Sequence, residues 1–80
     1  MSADNAIAVA KLGENDYRVR EIGCSQTWTR KDFLNKQKYA SMGEAMAEAY
    51  RLEEEVEMYG YVEYGVWEAD LTVGDYEPFA

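Results

Sequence analysis

The chain has 80 residues, 48% of them hydrophobic, a formal net charge of −8 and no histidine. That length allows one domain with a small core. The missing histidine removes the commonest general base, the usual zinc ligand and the partner of a Ser or Cys nucleophile, and the glycines are too scattered to form a phosphate loop, so no enzyme, metal or cofactor is expected.

Cys24 is the sole cysteine, so an internal disulfide is impossible. No basic segment followed by an apolar run marks a signal peptide, and no apolar stretch approaches the roughly 18 residues that span a bilayer. The expectation is a soluble cytoplasmic protein with no membrane partner. Aromatic residues make up 14% of the chain against a single proline, which favours an ordered fold.

In chain order, Ile7 to Leu12 reads as a strand, with Ile7 and Val9 on one face and small alanines on the other. Gly13-Glu14-Asn15-Asp16 is a turn cluster. Tyr17 to Ile22 alternates again, with Tyr17 and Val19 opposite Arg18 and Arg20, and completes a hairpin. Gly23 to Lys38 lacks clear periodicity. It suits a loop that drops Trp28 and Phe33 onto the core, with a helical turn near Asp32. Lys38-Tyr39-Ala40 suits a short edge strand.

Ser41-Met42-Gly43-Glu44 has the spacing of a capping box and opens a helix predicted to reach Tyr59. Met42, Ala45, Met46, Ala49, Leu52, Val56 and Tyr59 share its apolar face. Gly60 is expected to end it, as glycine commonly does at the position after a helix end. Tyr61 to Trp67 carries apolar residues on both faces and reads as a central strand. The expected fold is α+β: a small antiparallel sheet of three or four strands with one long helix on one face. Residues 1–67 form the domain and residues 68–80 an irregular or loosely docked acidic tail.

Charge divides this chain sharply. All Lys and Arg lie at or before Arg51, whereas the remainder holds Glu53, Glu54, Glu55, Glu57, Glu63, Glu68, Asp70, Asp75 and Glu77 with no base. Four of those glutamates fall in the last two turns of the predicted helix, where the dipole favours cations. Such one-sided charge bears on partners rather than on fold.

Several short stretches together resemble a group of small uncharacterised proteins carried by tailed bacteriophages and prophages. These are the opening Met1-Ser2-Ala3-Asp4-Asn5 running into a strand, the Gly13 to Val19 turn and Tyr-Arg-Val strand, the Ala- and Glu-rich stretch Glu44 to Glu57, and the closing Glu63-Tyr64-Gly65-Val66. The likeness covers both ends and skips Gly23 to Ala40. Ala6 stands where the group usually has glycine. The resemblance implies a viral protein with a compact α+β fold, acting in the cytoplasm of the infected bacterium. It supplies no activity and no catalytic residues.

Small acidic phage proteins often act by binding, so the expected function is inhibition of a host defence protein, in the manner of an anti-CRISPR. Glu53, Glu54, Glu57, Glu68, Asp70 and Asp75 would face a cationic groove, such as that of a nucleic-acid-binding partner. A solvated helix end that keeps the protein soluble is the bland counterpart. Excess aromatic area, with Tyr61 and Trp67 on a sheet face that one helix leaves bare, suggests a homodimer through that face, the counterpart being that the middle segment folds over these rings. The basic middle, Arg18, Arg20, Arg30 and Lys31 with Trp28 and Phe33 between, supports an alternative: a sponge for an anionic nucleotide signal at an oligomer interface. Direct DNA binding is not expected at this net charge. A phage accessory protein of structural or regulatory role is the third reading.

Overall fold

Alternating side chains on either side of a tight turn build the first supersecondary unit. In the computed structural model, which describes residues 4–60 and 62–79, β1 (Asn5–Gly13) and β2 (Asp16–Gly23) pair antiparallel with Val9 opposite Val19 and Ala8 opposite Arg20. The third strand, β3 (Val66–Asp70), adds to the other side of β1 and runs parallel to it, giving the order β2-β1-β3. One helix, α1 (Met42–Glu57), packs on one face. The fold is α+β with a three-stranded mixed sheet, inside the expected strand count.

The last strand differs from expectation in place, direction and position. It begins at Val66 rather than Tyr61 and lies at the sheet edge. Gly65 explains the late start: its φ of +69° is a left-handed conformation that turns the chain into β3. The central place goes to β1, whose Ala6 to Ala10 are fully buried on both faces.

On the helix side, Ile7, Val9 and Val19 meet Ala45 and Ala49, with Met42, Met46, Leu52 and Val56 half-buried around them. Ser41 caps the helix, its Oγ accepting from the Glu44 N–H at 3.2 Å. The reciprocal bond comes from the Ala40 N–H to Glu44 at 3.4 Å, one residue earlier than a capping box places it. The other end is corrected. The helix stops at Glu57, the final turn tightens through Met58 N–H to Glu55 O and Tyr59 N–H to Val56 O, and Gly60 has no positive φ. Tyr59, assigned above to the apolar face, is 86% exposed because it lies beyond the last helical turn.

Much of the opposite face is covered by the chain's own irregular segments, while Tyr64 and Phe79 stay exposed. Ala6, Ala8 and Ala10 leave depth for large rings, and Trp28 and Phe33 fill it with no exposed area. Their rings meet edge-on, 6.5 Å apart. The helical turn near Asp32 is a short 3-10 turn, Arg30–Asp32. The Lys38-Tyr39-Ala40 strand reduces to one bridge, Tyr39 with Tyr17. The boundary drawn after Trp67 falls inside β3. Ala69 and Leu71 are buried, and Tyr76 pairs with Trp28 through bonds of 2.7 and 3.0 Å, so the tail is docked by its own core residues.

Candidate functional site

The acidic residues singled out in the sequence occupy separate places. Glu53, Glu54 and Glu57 lie in the last turns of α1, with the Glu53 carboxylate beside Gly65. Glu68 and Asp70 lie on β3 and share a groove with Lys11 and Met42, the first residue of α1. Glu53 is about 17 Å further along the helix axis than Met42, so the two groups sit near opposite ends of it. Asp75 adjoins Tyr76 over the other sheet face. No single surface gathers all six.

Their surroundings differ too. Asp70 accepts from both the N–H and the hydroxyl of Thr72, which holds its carboxyl below the usual range, so its charge serves a turn. Glu48 and Glu55 are bridged by Arg51 at 2.7 and 2.9 Å. Hydrogen bonding to Arg51 likewise lowers Glu48. Among the described residues Glu53, Glu54, Glu57 and Glu68 form no ion pair. Immediately after Glu57, Met58 is 76% exposed and is followed by the exposed Tyr59. Carboxylates without counter-charges therefore lie next to two large uncovered apolar side chains.

The basic middle is organised for the fold. Arg18 holds Asp16 through two bonds of 2.6 and 3.1 Å, and the same guanidinium donates to Leu34 O and Lys36 O at 3.0 Å each. Arg20 donates to Asp32 O at 2.8 Å and to Glu21 O at 3.0 Å. Arg30 donates to Leu12 O. These arginines clasp the 30–36 segment onto the sheet, and donors expected to meet an anion already meet carbonyls. Lys31 is exposed with no such bond. That correction could not be read from composition, because a backbone acceptor leaves no mark in sequence.

Of the two residues expected at a dimer interface, Tyr61 lies outside the described residues. Trp67 is half-buried, and its Nε1 donates to the Tyr76 hydroxyl at 3.0 Å. Its ring joins Tyr64 and Phe79 at centroid distances of 6.0 and 6.5 Å. Phe79 is 55% exposed and was missed as a surface ring; an aromatic embedded in an acidic tail was the available signal. It borders a shallow cavity of about 170 Å³ with Cys24, Thr27 and Pro78. Cys24 itself is buried, and burial pushes its thiol up.

Among the described residues no group of His, Cys, Asp and Glu could hold a metal ion, and no helix is long and apolar enough to cross a membrane. No family model, no curated protein and no solved structure matches this chain.

Proposed function

We propose that this is a small binding protein of phage origin that inhibits a host defence protein by docking the acidic end of α1 on a cationic groove. The observation that carries the reading is the juxtaposition at that end: Glu53, Glu54 and Glu57 without ion pairs, followed by exposed Met58 and Tyr59. The carboxylates there repel one another and oppose the helix dipole. A cationic partner relieves both penalties and accelerates encounter, while the two apolar side chains add area that loses water on contact. The resemblance to small phage proteins supports a host target. The nucleotide-sponge reading draws no support from the arginines, whose donors meet carbonyl groups.

The test is the triple reversal Glu53→Lys, Glu54→Lys, Glu57→Lys. It should leave the far-ultraviolet circular dichroism spectrum unchanged and abolish protection of the phage in a restricting host. A folded triple variant that protects as well as the parent would sink the reading and leave the acidic end as a solubility device.

A further inference from the structure

The two edges of the sheet are finished differently. The β2 edge is partly closed by the Tyr17–Tyr39 bridge and flanked by Lys38. Among the described residues the β3 edge has no such cover. The bonds that open and close its pairing with β1 run from Ile7 N–H to Gly65 O at 2.8 Å and from Leu71 N–H to Lys11 O at 2.9 Å. They fix the phase of a parallel ladder, in which alternate residues face the same neighbour. Gly65, Trp67, Ala69 and Leu71 therefore turn their backbone groups toward β1. Val66, Glu68 and Asp70 turn theirs outward, and among the described residues those groups have no hydrogen-bond partner. β3 also carries no proline, no lysine and no register shift, which are common devices for closing an edge.

We propose that the β3 edge receives an extended segment of a partner protein as a fourth strand, and that the segment carries a Lys or Arg opposite Glu68. Charge selects this occupant. Asp70 is already engaged by Thr72 and faces Lys11 across the ladder, whereas Glu68 is exposed and without an ion pair. A second copy pairing antiparallel about Glu68 would set Glu68 against Glu68, and like charges directly opposite destabilise a strand pair. A basic residue there gains the charge contact instead. The groove of about 340 Å³ beside the edge, lined by Met42, Lys11, Glu68, Ala69 and Asp70, offers Met42 to the aliphatic stem of that side chain and Glu68 to its head. Main-chain bonds would then provide affinity and the alternate side chains selectivity. The inference stands apart from the acidic end of α1, which lies at the other end of the helix.

The probe is an end-blocked peptide of about ten residues alternating Lys and Val, with amide hydrogen exchange followed by NMR. Saturating peptide should slow exchange at Val66, Glu68 and Asp70 by about tenfold or more while leaving Trp67 and Ala69 unchanged. Glu68→Pro removes only an outward-facing N–H, so the ladder to β1 survives while the peptide effect disappears. Glu68→Gln, which keeps the backbone intact if the proline variant misfolds, should weaken binding by about threefold to fivefold. Absence of binding at millimolar peptide, equal binding to the proline variant, or binding with no slowing at Glu68 would overturn the proposal. Slow exchange at these amides without peptide, together with a dimer in sedimentation, would assign the edge to a second copy and equally overturn it.

Discussion

The two faces of the sheet are covered in contrasting ways. On one side a regular helix presents small residues, Ala45 and Ala49, to Ile7 and Val9. On the other, irregular chain delivers the largest buried side chains, Trp28 and Phe33, onto a stripe of alanines. The helix makes its own backbone bonds. The irregular cover makes only scattered backbone bonds, in the Arg30–Asp32 turn and between Trp28 and Tyr76, and three arginines add bonds to its carbonyls and to that of Leu12. Regular structure and buried bulk thus lie on opposite faces, and stability should depend more on the side without periodicity.

Trp28→Ala breaks the comparison most directly. It removes a fully buried ring, the bond from its Nε1 to Gly23 O at 2.8 Å, and contacts with Phe33, Trp67 and Tyr76. The expected loss is roughly 3–5 kcal/mol, enough to unfold much of a marginal domain, and urea denaturation measures it. Its helix-side counterpart is smaller. Leu52 is only half-buried, so Leu52→Ala should cost roughly 1–2 kcal/mol. Similar midpoints for the two variants would mean that the faces contribute equally.

The clasp tests how irregular chain is held. Arg18→Lys keeps the charge but cannot hold Asp16 with two donors while also reaching Leu34 O and Lys36 O. The expected loss is roughly 1–3 kcal/mol, with faster amide exchange confined to the 30–36 segment. The same contact sets an acid limb. Hydrogen bonding to Arg18 holds the Asp16 carboxyl below its usual range. Its share of stability is therefore fully present above the ordinary aspartate value and is lost as pH falls through the lower folded one. Urea midpoints measured downward from about pH 5 should fall less steeply in Arg18→Lys than in the parent.

Legibility in the sequence follows the same divide. The hairpin and α1 were readable because side-chain period and turn chemistry are local signals: Ile7 with Val9, Gly13 to Asp16, Ser41 with Glu44. The Trp28 and Phe33 anchoring and the turn near Asp32 were also readable, as large apolar residues in a segment without period. β3 was misplaced because alternation continues through Val62, Tyr64 and Val66 and cannot show that Gly65 adopts a positive φ. Its parallel pairing depends on where α1 returns the chain, which no short window contains. The acidic end was legible as charge. Exposure of Met58 and Tyr59 was not, because the apolar periodicity runs past the point where the helix stops.

The smallest expected effect concerns the end of α1, and its sign is the useful part. Glu57 lies in the last helical turn, without an ion pair and with no basic residue in that turn. Glu57→Lys replaces a charge the dipole opposes with one it favours, so the domain should gain a few tenths of a kcal/mol, read as a slight rise in Tm. The gain should shrink at high salt, because the end is solvated and screening weakens both charges. If the acidic end serves a cationic partner, the same substitution must weaken inhibition while it steadies the fold. A structural acid loses stability and function together, and a solubility acid leaves function untouched. Opposite signs in the two measurements separate a binding acid from both.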